Sequence, residues 1–356
     1  MKSLKAWPAL ILIAAVGACG AWVFLLKSFH QFDKVASSFD GSCTPISDMP
    51  GPEDIQIDPA QRRAFVSSYD RRAKGARRGA IMAFSIDDPL AEDAWRDRTD
   101  GAPVEFEPLG LYFYVGDDVR RLFVVNAAAK TVELFDVDDN GDLKHLESFS
   151  ERRLTSPNDV VAVGPRAFYV TNDIEPGRAS LLDRLRFQFR IRSGRVLYFD
   201  GVSWRIAAED LSFANGIAVS PDGARLYVAE TAASALRIYD RDIVNGALAL
   251  QKTVAMGAAV DNINIDRHGS LWIGAHPKQQ QLASYIRNPD EKLPSLVLRY
   301  DDHAGGQPLP RAIYADDGTE ISASTSAAKL GSTLLIGALL EKKLLICTLP
   351  AATASR

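Results

Sequence analysis

Leu122-Phe123-Val124-Val125-Asn126, Leu226-Tyr227-Val228-Ala229-Glu230 and Leu271-Trp272-Ile273-Gly274-Ala275 share one pattern, a short apolar, β-favouring run that follows turn or polar residues. The pattern occurs three more times, at Ala64-Phe65-Val66-Ser67-Ser68, Ala167-Phe168-Tyr169-Val170-Thr171 and Leu334-Leu335-Ile336-Gly337-Ala338. Counted from the second residue of each, the runs start at 65, 123, 168, 227, 272 and 335, with spacings of 58, 45, 59, 45 and 63. Runs of β-branched and aromatic residues recurring about every 50 residues mark a ring of small sheets arranged as blades. Asn140-Gly141, Asp222-Gly223 and His268-Gly269 supply hairpin turns within them. Helical periodicity is weak after residue 40. The sequence therefore predicts an all-β, six-bladed β-propeller over 41–349, preceded by a signal anchor and linker at 1–40 and followed by a tail at 350–356.

Composition excludes several classes. The 356 residues carry 41 Lys+Arg against 45 Asp+Glu, and the net charge of −4 does not suggest a nucleic-acid binder. A hydrophobic fraction of 47% and a charged fraction of 24% are ordinary globular values, which rules out long disorder. Three cysteines are too few for a disulfide-built scaffold.

Residues Ala6 to Leu26 form an uncharged stretch flanked by Lys2, Lys5 and Lys27, with Trp7 and Trp22 toward its ends. At ~1.5 Å per residue it reaches across a ~30 Å hydrocarbon core, so it reads as an uncleaved transmembrane signal anchor. A cleaved signal peptide, or a lipoprotein signal around Cys19, are the alternatives. The expected location is membrane-anchored, with the propeller on the extracytoplasmic side. There, Cys43 and Cys347 read as one bond tying the ends of the folded region together; two buried free thiols are the alternative. The basic segment Arg178 to Arg192, with five Arg and one Asp, reads equally as a lid or membrane-surface element and as an ordinary strand with a solvated face.

Acids and amides stand where strands should begin: Glu53-Asp54 before Ile55, Asn158-Asp159 before Val160, Asn215-Gly216 before Ile217 and Asp261-Asn262 before Ile263. Alone, each is most simply a turn or strand cap. In a propeller, equivalent positions of the innermost strands converge on the axis. Carboxylates gathered there would repel one another, so a cation is implied, and donors that are all oxygens select Ca²⁺.

These motifs, with Pro157-Asn158-Asp159-Val160-Val161, Thr171-Asn172-Asp173, Phe213-Ala214-Asn215-Gly216, Ser220-Pro221-Asp222-Gly223 and the Gly274-Ala275-His276-Pro277 loop, resemble the paraoxonase/arylesterase family of calcium-dependent six-bladed propeller hydrolases over essentially all of 41–349. The resemblance implies two Ca²⁺ ions. The catalytic one would be held by Glu53, Asn158, Asn215, Asp261 and Asn262, and the structural one by Asp54, Asp159 and the main-chain carbonyl of Leu111. It also implies a Cys43–Cys347 disulfide. Two carboxylates and three amides would leave the catalytic site neutral once the ion is bound, able to polarise a carbonyl oxygen.

The chain departs from that family at a histidine pair thought to activate water. Leu109 stands in the Pro108-Leu109-Gly110 motif and Ala127 follows Asn126; a third family histidine is Ile174. Neither leucine nor alanine can take a proton. Glu53, Asp261 and His276 remain as candidate catalytic residues, with Asp173 a further possible base, whereas His145, His268 and His303 read as surface residues. The expected activity is Ca²⁺-dependent hydrolysis of lactones or carboxylic esters; the alternative is a non-catalytic, calcium-stabilised propeller that binds a ligand or partner. The sequence does not indicate the substrate or the oligomeric state. Asp136-Val137-Asp138-Asp139-Asn140-Gly141 with Glu147 satisfies an EF-hand calcium-loop pattern, but strand-like alternation on both sides makes it a hairpin.

Overall fold

The computed structural model describes residues 7–28, 34–73, 78–91, 96–174, 187, 189–288, 290–302 and 308–351. Six four-stranded antiparallel sheets are arranged as the blades of a propeller. Their innermost strands, in chain order, are Pro52–Asp58, Pro108–Gly116, Pro157–Ala162, Ala214–Val219, Ala259–Ile265 and Ser324–Leu330, each packed against the innermost strands of both neighbours so that the ring closes.

All six repeated runs are the second strands of their blades: Arg63–Ser68, Val119–Asn126, Phe168–Asn172, Arg225–Glu230, Leu271–His276 and Thr333–Ala338. Sandwiched between adjacent blades, these strands are buried on both faces and read as continuous apolar runs. Outer strands such as Leu143–Ser150 and Leu248–Ala255 alternate or are largely exposed, and left a weaker signal. The core is divided among the interfaces between blades. Phe65 of the first blade stacks on Phe113 of the second at 5.5 Å, and Phe123 of the second meets Phe168 of the third at 5.6 Å.

The sixth blade is built from both ends of the folded region. Strand Ser42–Ser47 forms its outer edge against Lys343–Thr348, in a register that places Cys43 opposite Cys347. The two cysteines are disulfide-bonded across a sequence separation of 304 residues. The EF-hand pattern falls on the hairpin between strands Thr131–Val137 and Leu143–Ser150, where Asp138 accepts the backbone N–H groups of Asn140 and Asp142.

One expectation is shown only in part. The apolar N-terminal stretch does form a helix, Trp7–Ser28, but among the described residues no helix is long and apolar enough to cross a membrane. A transmembrane anchor is therefore not supported. Most of the basic segment (175–186 and 188) and His303 lie outside the described residues; of the segment's remainder, Phe187 packs edge-on against Phe213.

Replacing Cys43 and Cys347 by alanine leaves the ring held by strand pairing alone. The loss in unfolding free energy is expected at about 2–5 kcal/mol, measured by denaturant titration of both forms under oxidising conditions. An unchanged midpoint would show that the disulfide contributes nothing to closure.

Candidate metal centre and active site

Each innermost strand carries a bulge near its start. The ladder with the second strand runs Pro52 to Ser68 and resumes at Ile55 to Val66, so that Glu53 and Asp54 together face one residue, Ser67. The same slip occurs at Leu109-Gly110, Asn158-Asp159, Asn215-Gly216 and Asp261-Asn262, and at Thr325 in the sixth blade. A bulge bends the strand and re-aims its side chains. Here it lies at each polar pair found in the sequence.

The second residue of two of these pairs staples neighbouring blades. Asp54 accepts the N–H of Ile55 in its own strand and that of Leu111 in the next blade, both at 2.8 Å. Asp159 accepts from Val160 at 2.7 Å and from Ile217 of the next blade at 2.8 Å. Gly110 lies against Asp159: a β-carbon there would come within 2.1 Å of the carboxylate, so no larger residue fits. The three residues expected at a structural ion are thus neighbours, with Leu111 touching Asp54 through its N–H. Burial raises the Asp54 carboxyl well above the ordinary 3.8, and the nearby Glu53 carboxylate adds to it. Asp159 is raised in the same way, by burial and then by Asp54.

The first residues of the pairs face a different problem. The side-chain N–H groups of Asn158, Asn215 and Asn262 are all satisfied: Asn158 donates to Asp173 Oδ2 at 3.1 Å, Asn215 to Thr231 Oγ1 at 3.0 Å and to Asp261 Oδ1, and Asn262 to Glu53 Oε1 at 3.0 Å. Their Oδ1 atoms are buried without a hydrogen-bond partner among the described residues. Leaving a buried carbonyl unsatisfied costs about 1–3 kcal/mol. Three such oxygens beside the buried carboxylates Glu53 and Asp261 form a donor set that fits a hard, oxygen-seeking cation. Among the described residues no group of three or more His, Cys, Asp or Glu side chains could hold a metal ion; the set is amide-rich.

His276, at the end of the fifth blade's second strand, is 1% exposed, and its Nε2 lies 2.7 Å from Asp261 Oδ2. Its Nδ1 is buried with no hydrogen-bond partner among the described residues. Sequence reasoning brought His276 toward the pocket without predicting this pairing. It missed the hydroxyls that hold the backbone in place: Thr325 Oγ1 donates to the Glu53 carbonyl at 2.6 Å, and Thr231 Oγ1 to that of Val260 at 2.7 Å. Ser324-Thr325-Ser326 occupies the sixth copy of the polar-pair position, but hydroxyl residues do not stand out as acids and amides do. Leu109 is buried in an apolar cluster with Phe123, Val125 and Val160, with Ala127 packed against it, and Ile174 is also buried. His145 contacts Glu133 at 2.8 Å on an outer strand, and His268 sits in a turn.

Comparison with known proteins places the chain first by class. Solved structures with this fold include a luciferin-regenerating enzyme (TM-score 0.59, 12% identity, 86% of this chain and 95% of that one) and a Xanthomonas campestris gluconolactonase (TM-score 0.56, 19% identity, 89% and 94%). At such identities the likeness is one of fold. The family follows from sequence: residues 81–349 match the Arylesterase family model, and human serum paraoxonase/arylesterase 1 is 32% identical over 312 residues, 83% of this chain and 85% of that protein. Rat serum paraoxonase/arylesterase 2 is 33% identical over 247 residues, covering 67% of this chain and 68% of that one. The chain belongs to the arylesterase family of hydrolases.

The raised carboxyls set a pH dependence for the chelator-treated protein. Because the folded values of Asp54 and Asp159 lie above 3.8, their contribution to stability is present below that pH and is lost as pH rises through the folded values. As pH rises above about 4, wild-type protein in chelator should lose stability relative to Asp54→Asn, measured by thermal unfolding. Parallel curves for the two proteins would show that the buried acid imposes no such penalty.

Proposed function

We propose that the chain hydrolyses carboxylic esters or lactones in a calcium-dependent reaction in which the Asp261–His276 pair handles the proton. Glu53, Asn158, Asn215, Asp261 and Asn262 would hold one Ca²⁺, and Asp54, Asp159 and Leu111 a second. A bound ion at the first site supplies Lewis-acid polarisation of the substrate carbonyl and offsets the local negative charge.

The observation that carries the reading is the 2.7 Å contact of His276 Nε2 with Asp261 Oδ2, which leaves a buried Nδ1 without a protein partner. An Nε2–H donated to Asp261 fixes the tautomer in which Nδ1 carries the lone pair. Nδ1 is then the atom that accepts a proton from an attacking water and returns it to the leaving oxygen. Asp261 orients the ring and stabilises the imidazolium, while its Oδ1 is held by the Asn215 amide. This assigns to His276 the role that Leu109 and Ala127 cannot perform. The Cys43–Cys347 disulfide supports an oxidising, extracytoplasmic compartment.

A second reading rests on the same departure. With apolar side chains at Leu109 and Ala127, the propeller would keep its ions for stability and bind a ligand without turnover. Assay of a broad panel of lactones and aryl esters separates the two. In the enzyme, chelation abolishes turnover and added Ca²⁺ restores it, and His276→Gln lowers kcat by about 10²–10⁴-fold while the thermal shift on adding Ca²⁺ persists. Absence of turnover across the panel, with an intact calcium-induced shift, would establish the binding protein. Wild-type turnover in His276→Gln would remove the imidazole from the mechanism.

A further inference from the structure

We propose that the mouth of the propeller opposite the bulges binds a small organic carboxylate with an apolar body. A cavity of about 700 Å³ opens there, formed by the far ends of the innermost strands, and it is distinct from the oxygen-lined end that holds Glu53 and Asp261. Its volume is that of a site for one small molecule.

The polar atoms of the two ends have opposite needs. Near the bulges the side-chain oxygens of Asn158, Asn215 and Asn262 are buried acceptors without a partner among the described residues. At the opposite mouth, Gln56 donates to Asn264 Oδ1 at 2.9 Å, which turns the Asn264 amide so that its Nδ2 is the buried atom lacking a hydrogen-bond partner among the described residues. A buried N–H₂ with no acceptor calls for an oxygen from a ligand. Tyr112 also lines the cavity.

The charge of the lining agrees. It contains Arg62, Arg241, Arg267 and Lys329 against Asp266 as the single carboxylate, in a chain whose net charge is −4. Arg62 is paired with Asp87, and Lys329 lies 3.7 Å from Asp266, which also accepts from Trp272. Arg241 and Arg267 have no carboxylate partner among the described residues: Arg241 bonds the Tyr169 hydroxyl and the Gly223 carbonyl, and Arg267 the His268 ring. Two guanidiniums with no salt-bridge partner among the described residues, at a concave mouth, attract an anion. The remaining walls are aliphatic, with Ile57, Ile217, Ile263, Ile265 and Leu330 among them. Such walls give an inorganic ion nothing to bury against and suit a short alkyl chain.

Octanoate is a suitable probe, titrated calorimetrically into the full-length protein with Ca²⁺ and again in chelator. Saturable binding at one site is expected in both conditions. It should weaken at least about tenfold in R241E/R267E and several-fold in Asn264→Leu, with inorganic phosphate at the same concentration failing to compete. Isoleucine-methyl NMR of the wild-type protein locates the ligand without any variant: octanoate should shift the Ile57, Ile217, Ile263 and Ile265 resonances. Absence of saturable binding to about 10 mM overturns the proposal. So does binding that chelation abolishes but R241E/R267E leaves unchanged, because the carboxylate would then sit at the calcium end. Equal competition by phosphate, or methyl shifts confined to other isoleucines, would also overturn it.

Discussion

The bulge at the start of each innermost strand is the constraint on which the rest of this protein depends. A regular strand would keep its residues in the ladder and alternate them between the faces of its blade. Setting two residues opposite one releases the polar pairs of four blades toward the axis, and lets Asp54 and Asp159 each accept one N–H from their own blade and one from the next. Fold closure and site assembly are thereby the same event. The carboxylates that join the first blade to the second and the third to the fourth are the ones expected at a structural ion.

That arrangement is electrostatically costly by itself. Glu53, Asp54, Asp159 and Asp261 are all buried, and burial together with mutual repulsion holds the Asp54 and Asp159 carboxyls well above the ordinary range. The three amide oxygens left over at Asn158, Asn215 and Asn262 add acceptors that meet no donor among the described residues. Buried oxygens gathered in this way suit a hard cation, the ion invoked in the proposed function.

Membership of the arylesterase family does not carry every side chain with it. At Leu109 and Ala127 the chain has built an apolar cluster against Phe123 and Val125 where the family resemblance implies imidazoles. The fifth blade keeps an imidazole, His276 of the Gly274-Ala275-His276-Pro277 loop, paired with Asp261. In the proposed reaction proton handling falls to this strand, while the proposed oxygen donors lie on the innermost strands. This division is physically reasonable, because the donors sit on bulged innermost strands and the imidazole comes from the end of a second strand, so either can change without rebuilding the other.

Much of this architecture was legible in the residues themselves. The second strands are buried on both faces and so read as six unbroken apolar runs at near-constant spacing. The polar pairs were visible because acids and amides opening a β-favouring run are unusual, and the two outlying cysteines marked the joined ends. The apolar stretch near the N-terminus predicted its helix, and a membrane-crossing role for that helix is not shown. What only the tertiary structure decided was orientation. The opposed needs of the two tunnel mouths, the Asp261–His276 contact, and the hydroxyls of Thr231 and Thr325 beneath the site all depend on which way a side chain turns once neighbouring blades pack. Sequence spacing determines which residues share a strand position; the bulges and the closure of the ring determine which atoms meet.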